Sequence, residues 1–563
     1  MENLLDTIEK FSKVSGLEVN KTKSECLILD FEMNLSSHET TILGVPLVDN
    51  LKILGHHFGK NKLVCDYHNF YSKLSKYDRI VNIWKQRSLT IFGKNLLINS
   101  LLNSLFSFNA QIEDPPVEFI KSIESKNKNF LWDGGVPKIA HHSIIGDFPQ
   151  GGFRYKDLES FLISVNLKFL MRLRQSKILP NTCIPMYWLM RFFDIPVQYT
   201  NADEQYFQNY FQNQQSILDC KIKLPKKSLW GGHPFYLRLL NSYECLLQGT
   251  PQSIESMLSM PLWYNSMLGT KFDVQLSRSG FNYLRDIVYH KCKPSPFQNS
   301  GLQFINQKIA QMKENIPDEV KGKIAIQSEK TVVIYPIQTI KYKGKDMILR
   351  NMKSKALYKI LVAPKVRIPK GLLNWCLELE LSDEQIKTAL TFAHQCSLNT
   401  FDRVFQYKIT TYILPTNEYL FRYRVKNTDC CDLCEEETDT IVHRLFECEF
   451  VIGKTDLVFS YLRENCNSSY SVTMIEYLFG KNGEKYNGLN HLLLELKKTI
   501  FYSNQECLCS PSFVDLFWNQ VRNLIKKEKI VKLKVNRLDE FEDKWKDFTK
   551  IYDFRGPDEP INM

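Results

Sequence analysis

The sequence predicts a mainly α protein with a small α/β piece at its N-terminus, and three observations predict it. Apolar residues recur at helical spacing through most of the chain. Strand-like segments are short and gather within the first sixty residues. A compact set of cysteines with one histidine near the C-terminal end predicts a small metal-centred module inside an otherwise helical region.

Taken in order, Leu4, Leu5, Ile8, Phe11 and Val14 define a first amphipathic helix, which Ser15-Gly16 should end. Val19 and Cys26-Leu27-Ile28-Leu29 suggest strand residues, and Leu51-Lys52-Ile53-Leu54-Gly55 suggests another short strand. From Tyr67 to about Gln111 the pattern becomes helical and basic, with Lys73, Lys76, Arg79, Lys85, Arg87 and Lys94 between apolar positions. Asp114-Pro115-Pro116 breaks it, and a helix should run from Val117 to Trp132. Gln150-Gly151-Gly152 reads as a turn before a helix from Leu158 to Leu173.

Residues 181–400 carry helix-period stretches broken by Pro and Gly, with a hairpin expected at Thr331 to Tyr342. No tandem repeat is visible, which argues against a solenoid. Toward the end, Phe517, Val521, Leu524, Val531, Leu538, Phe541, Trp545 and Phe548 fall on one helical stripe. Its polar positions hold Arg522, Lys526, Lys527, Lys529, Lys532 and Lys534, either a phosphate-binding face or simply a solvated one.

At 563 residues the chain should hold several domains. Its 44% hydrophobic and 24% charged residues are ordinary for a globular protein, so the disordered and fibrous classes drop out. A net charge of +11 favours a polyanionic partner. Fifteen cysteines, an odd number in no regular framework, point to a reducing compartment, nucleus or cytosol. Met1 to Lys23 is charged and amphipathic, unlike a signal peptide. The most apolar stretch, Leu96 to Ala110, is interrupted by Asn99, Asn103 and Asn109 and is too short and polar to span a bilayer. A soluble protein with no membrane partner is expected.

The strongest chemical signal is Cys431-Asp432-Leu433-Cys434 followed by His443 and Cys448, a C-x2-C-x8-H-x4-C set. Three thiols and an imidazole are what a closed tetrahedral Zn²⁺ site needs, and four protein ligands leave no open position for water. The expected metal is therefore structural. Thr438 or Asp439 is available to cap a helix that would carry His443 and Cys448 toward the Cys-x2-Cys turn. Cys430 adds a register alternative, since it could replace Cys431 with a longer turn. Just upstream, Phe421-Arg422-Tyr423-Arg424-Val425-Lys426 interleaves rings and cations. That composition suits single-stranded nucleic acid, with rings stacking on bases and cations tracking phosphates, or else an amphipathic element packed on the zinc module.

Several segments together resemble one family. Phe11-Ser12-Lys13-Val14-Ser15-Gly16-Leu17-Glu18-Val19-Asn20 through Lys23-Ser24 is similar to the segment after the catalytic site of LINE-type (non-LTR) retrotransposon reverse transcriptases. Leu51 to Gly55 resembles the primer-grip hairpin, and Trp84-Lys85-Gln86-Arg87-Ser88-Leu89-Thr90-Ile91-Phe92-Gly93-Lys94 resembles the thumb. Asn129 to Trp132, Gly151 to Leu158, Pro261 to Asn265 and Gly280 to Asp286 extend the likeness in family order. Ile413-Leu414-Pro415-Thr416-Asn417 stands before the knuckle, as in that family.

The resemblance implies a residual palm at 1–60, a thumb-like helical domain at 61–180 and a mixed, mostly helical region at 181–400. A zinc-knuckle region at 401–470 and a basic helical region at 471–563 would follow. It implies RNA or DNA as partner, with Lys85, Arg87 and Lys94 facing a nucleic-acid backbone and Arg422, Arg424 and Lys426 adding cations beside the knuckle. Lys23 matches a lysine that would approach an incoming triphosphate, or else is a surface residue.

The departure from the family is as informative. Nucleotidyl transfer needs carboxylates that hold two Mg²⁺ ions about 4 Å apart. The family supplies them from an aromatic-x-Asp-Asp turn, and no Asp-Asp pair occurs in this chain. Fingers, most of the palm and the N-terminal endonuclease have no counterpart, and Pro557-Asp558-Glu559 lacks the strand and lysine that a downstream nuclease would need. The expectation is a polymerase remnant with no Mg²⁺ site that at most binds RNA or DNA. The alternatives are a fragmentary record of an active polymerase-endonuclease, and a partner-binding scaffold without nucleic-acid affinity.

Overall fold

The computed structural model describes residues 2–17, 40–173, 351–466 and 472–552 in near-continuous runs, with shorter stretches and single positions at 20–28 and 242–348. Helices dominate, and strands among the described residues form three two-stranded antiparallel pairs. Two of these lie within the first sixty residues, so the protein is mainly α with a small α/β N-terminal piece.

The chain divides into two compact units. One takes Met1–Asn69, Phe106–Val117 and Asp157–Pro364; the other takes Phe70–Leu105, Glu118–Lys156 and Lys365–Met563. Much of the thumb-like stretch therefore shares a unit with the knuckle and everything after it.

In the first unit the opening helix runs Glu2–Ser15 and stops at Gly16, whose φ of 70° lies in the left-handed region that glycine tolerates best. Thr41–Ile42 pairs with Val45–Pro46, and Asn50–Ile53 with His56–Gly59. Leu54 and Gly55, both at positive φ, make the tight turn of the second pair, as a two-residue hairpin loop requires. Buried His56, Asn69 and Asn109 satisfy one another beneath it: Asn109 Nδ2 lies 3.2 Å from both His56 Nδ1 and Asn69 Oδ1. Helix Leu158–Leu173 has the predicted bounds and packs against Ser354–Val362. Thr339–Tyr342, the end of the segment where a hairpin is expected, pairs antiparallel with Lys345–Ile348. Residues 331–338, most of Pro261–Asn265 and Pro557–Glu559 lie outside the described residues.

In the second unit Val117–Leu131 forms the predicted helix. The Gly151-Gly152 turn also appears, for a reason of space: a Cβ on Gly152 would sit 2.3 Å from the carbonyl oxygen of Gly146. Phe153 and Tyr155, both buried, then donate their backbone N–H groups to Ile144 O, and Tyr407 Oη donates to Gly151 O at 3.0 Å. Further along, Ser382, Asn399, Thr416 and Thr473 each cap a helix through a side-chain oxygen. The Asn487–Tyr502 helix is buried nearly all round, with Leu489, Leu492, Leu493, Leu494, Leu496 and Ile500 in the core beside buried Asn490, His491 and Lys497. Such a helix belongs in the middle of a bundle.

The C-terminal stripe is not one helix. Phe513–Lys534 ends at a turn with Asn536 at φ 54°, and Leu538–Trp545 folds back on it. Phe517, Val521, Phe541, Trp545 and Phe548 share the core as the stripe predicts, whereas Val531 sits near the turn, 46% exposed. Lys526, Lys527, Lys529 and Lys534 are exposed, while Lys532 pairs with Glu540.

A buried ionic network crosses this bundle, and the sequence did not announce it. Lys544 Nζ donates to Cys396 O (2.6 Å), His491 Nδ1 (2.8 Å) and both carboxylate oxygens of Glu528 (2.7 Å each). An ammonium only donates, so His491 Nδ1 accepts and the ring proton sits on Nε2, 3.6 Å from Asp402 Oδ2. Asp402 also takes Ser397 Oγ and Lys498 Nζ, each at 2.7 Å. Burial pushes the Asp402 and Glu528 carboxyls up, but neighbouring His491 with Lys498 beside Asp402 and Lys544 beside Glu528 outweighs it and holds both at about 2. Their stabilisation is complete above the usual carboxyl range and is lost as pH falls toward 2.

Lys497 is the opposite case. Its Nζ is fully buried and donates to Gln406 Oε1 (2.7 Å) and Leu478 O (2.8 Å), and burial lowers its pKa from 10.5 to about 7. Between those two values the unfolded chain holds a proton that the folded chain releases, so stability rises with pH across that window. Denaturant midpoints at pH 6, 8 and 10 should show this rise in the native chain and lose most of it in Lys497→Met. Equal slopes in the two proteins would rule the assignment out.

Candidate metal centre

The knuckle begins as a pinched loop. Cys431 N donates to Glu437 O (2.7 Å), Asp439 N to Asp429 O (2.8 Å), and Cys430 pairs with Thr438 in an antiparallel bridge. Inside it, Leu433 N donates to Cys431 Sγ at 3.4 Å, and Glu435, at φ 61°, turns the chain back with its N–H on Cys431 O. This fold presents Cys431 and Cys434 on one side.

The helical turn that follows is capped by neither residue the sequence offered. Thr438 is engaged in the bridge, and the Asp439 carboxylate accepts from Asn417 N at 2.7 Å. Thr440 takes the cap instead, its Oγ1 accepting from His443 N at 3.0 Å. From His443 to Glu447 the backbone widens into a π turn, closed by Cys448 N on His443 O at 2.9 Å. In an α-helix residue i+5 points well away from residue i, whereas the i→i+5 bond of a π turn brings it back over residue i. The widening is what lets a His-x4-Cys spacing converge.

The donor atoms of Cys431, Cys434, His443 and Cys448 all lie within 4.8 Å of one another, with His443 Nε2 3.3 Å from Cys434 Sγ. A metal–sulfur bond of 2.3 Å implies a tetrahedron edge of about 3.8 Å, so the group has the right size for one ion. Cys431, His443 and Cys448 are buried and Cys434 is half-buried. The exposed Cys430 stays outside the group, which resolves the register in favour of Cys431.

The surroundings suit a cation. His443 Nδ1 lies 3.0 Å from Glu437 Oε2, a close contact outside hydrogen-bonding angle, while Nε2 faces the thiols. Burial pushes the Cys431 thiol up and the Cys448 thiol up to about 12. At Cys434 burial acts the same way, but the backbone N–H groups of Glu437 and Glu436 outweigh it and the pKa falls. Buried thiols like these ionise only against a compensating charge, which a bound metal ion supplies. The four side chains form a group that could hold a metal ion.

The module is built into the core of its unit. Leu433, Ile441, Leu445 and Cys448 belong to the same buried cluster as Trp375, Phe479 and Trp545. Asn417, from the Pro-Thr-Asn motif, explains why that motif precedes the knuckle. Its N–H bonds Asp439, its Nδ2 bonds Cys430 O at 2.6 Å, and its Oδ1 accepts from Lys426 Nζ at 2.7 Å. Lys426 then grips both oxygens of Asp432 at 3.0 Å. The supporting roles of Asn417 and Asp432 went unassigned in the sequence, and Lys426, expected there to face nucleic acid, belongs to the same support.

The predicted cations meet different fates. Lys94 is largely buried with Nζ 2.5 Å from Asp133 Oδ1, and Lys426 is occupied as just described, so neither presents a free charge to a polymer. Lys23, Lys85 and Arg87 are exposed, the last with its guanidinium 5.1 Å from the Trp84 ring centre. Arg422 pairs with Glu418 at 2.5 Å while staying half-exposed, and Arg424 is exposed at φ 57°. Beside them Phe421, Tyr423 and Val425 are 46%, 61% and 69% exposed. Tyr423 and Val425 stand largely in solvent, while Lys426 of the same segment is bonded to the knuckle through Asn417 and Asp432. Among the described residues no helix is long and apolar enough to cross a membrane. No protein-family model matches the chain, so the chemistry of the site itself carries the functional reading.

Proposed function

We propose that this chain is related to LINE-type reverse transcriptases, binds RNA or DNA through the surface beside its knuckle, holds a structural Zn²⁺ there, and carries no paired-aspartate polymerase site of its own. The observation that carries the reading is the exposed segment Phe421–Val425, rings alternating with arginines, hung on the four-ligand cluster by Lys426 and Asn417. Cys431, Cys434, His443 and Cys448 would hold the ion; three soft thiolates and one imidazole in tetrahedral array favour zinc over harder divalent ions. The ion would contribute folding energy and no Lewis-acid chemistry, since all four positions come from protein. Exposed Lys85, Arg87 and Arg424 supply phosphate contacts, and Tyr423 and Phe421 supply stacking faces. The absence of an Asp-Asp pair supports the last part of the reading. Nucleus or cytoplasm is the compartment that reduced thiols and a nucleic-acid partner suit.

The test is binding of the purified chain to labelled single-stranded RNA and DNA across a salt series, with zinc content measured on the same sample. We expect affinity to fall steeply as salt rises. Tyr423→Ala with Arg424→Ala should weaken binding by about tenfold or more without loss of zinc. A folded, zinc-loaded protein that binds neither polymer would overturn this reading and leave a partner-binding scaffold.

A further inference from the structure

A second concave site lies in the C-terminal bundle, away from the knuckle's residues. The Asn487–Tyr502 helix carries Glu495, Lys498, Thr499 and Tyr502 at i, i+3, i+4 and i+7, a spacing that aligns them on one face. Leu516 and Gln520 of the Phe513–Lys534 helix line the other side, and between them is an open groove of about 520 Å³. That volume falls within the range of small-ligand sites.

The groove's polar groups are held in place from behind. Lys498 Nζ donates to buried Asp402 Oδ1 (2.7 Å) and to Glu495 Oε2 (3.0 Å), which uses two of its three N–H bonds. Glu495 Oε1 has no hydrogen-bond partner among the described residues. Gln520 is anchored by Thr499 Oγ1 at 2.7 Å. At the rim the Tyr502 ring is 72% exposed. The site thus offers an acceptor beside a cationic donor, with an aromatic face near them.

We infer that this groove binds a guanine base, as a free nucleotide or as an unpaired residue of a strand. Guanine is the base with two adjacent donors, N1–H and the 2-amino group, next to an acceptor, O6. A carboxylate beside an ammonium complements that edge: Glu495 takes the N–H pair and the third N–H of Lys498 meets O6. Adenine and cytosine each offer a single exocyclic donor and leave part of the carboxylate unpaired, which is costly in a partly desolvated site. Tyr502 supplies the stacking face. The inference concerns a site separate from the knuckle and does not rest on the nucleic-acid reading above.

The experiment is calorimetric titration of the full-length, zinc-loaded chain with GMP, IMP, AMP and CMP. GMP should bind at least about tenfold more tightly than AMP or CMP, and IMP, lacking the 2-amino group, should lose about tenfold. Glu495→Gln should erase the preference for GMP. Tyr502→Ala, a change at an exposed ring, should weaken every nucleotide by about tenfold and keeps the test decisive if the Glu495 variant does not fold. Equal affinity for GMP and AMP, or GMP binding indifferent to both substitutions, overturns the inference. Short single strands with and without guanine identify the source: a guanine-dependent gain over GMP marks a strand residue, and no gain marks a free nucleotide. Salt-sensitive binding with no guanine preference would leave the knuckle reading intact and remove this one.

Discussion

Replacing Cys434 or His443 with alanine should strip the metal from the protein and loosen the unit built around it. The four ligand side chains lie within 4.8 Å of one another, and Leu433, Leu445 and Cys448 sit in the main core. Metal binding by this group would therefore be coupled to core packing. In isolated zinc-finger peptides the ion supplies about 10–16 kcal/mol of folding free energy. Inside a larger core part of the fold survives its loss, so we expect destabilisation of at least several kcal/mol. Elemental analysis and thermal melts on the same samples would read both effects. Cys430→Ala is the control, because that thiol is exposed and outside the group, and it should retain full metal content. Glu437→Gln should keep the fold but weaken metal affinity by about 10–100-fold, as loss of a carboxylate behind a ligating histidine does elsewhere. If Cys434→Ala still carried one metal ion per chain, the ligand assignment would be wrong.

The second large effect should come from Lys544→Met. In the native chain its ammonium answers Glu528 at 2.7 Å and also satisfies Cys396 O and His491 Nδ1, with both charged side chains more than nine-tenths buried. Removing it leaves a buried carboxylate without its counter-charge, a change that costs about 3–5 kcal/mol. Trp545 Nε1 would still donate to Glu528 at 3.3 Å, which is too little to offset the charge. The midpoint of chemical denaturation should fall accordingly at pH 7, and the deficit should shrink as pH drops and Glu528 takes a proton. Lys526→Met on the exposed face of the same hairpin should leave the midpoint nearly unchanged. The double variant Lys544→Met with Glu528→Met separates the terms, since replacing a buried pair by apolar groups is often neutral or stabilising. A midpoint that does not move in Lys544→Met would show that Glu528 finds another partner or solvent.

How much of this was legible in advance depended on how local the information was. The helix over Leu158–Leu173, the break at Asp114-Pro115-Pro116 and the stop at Gly16 follow from periodicity, missing N–H groups and a left-handed glycine, all of which act within one or two turns of chain. The four metal ligands were legible for the same reason, because their spacing is itself a geometric statement. The cap was misplaced because Thr438, Asp439 and Thr440 are all capable N-caps by residue type. Asn417, twenty-two residues upstream, decides among them by taking Asp439 for itself.

By itself, then, the sequence determined the helical class, the small N-terminal α/β piece, the ligand set and the lack of a paired-aspartate polymerase motif. Tertiary structure decided which charges are free. Lys94 and Lys426 look like surface cations from their neighbours, yet Asp133 and Asp432 claim them; Lys544, which the sequence does not single out, is bonded to residues of three other elements. Tertiary structure also bent one apolar stripe into a hairpin and set Glu495, Lys498 and Gln520 around a groove. The physical reason is range. Backbone preferences and ligand spacing are settled by residues a few positions apart, while the fate of a charge depends on desolvation and on partners that only a folded core brings within reach.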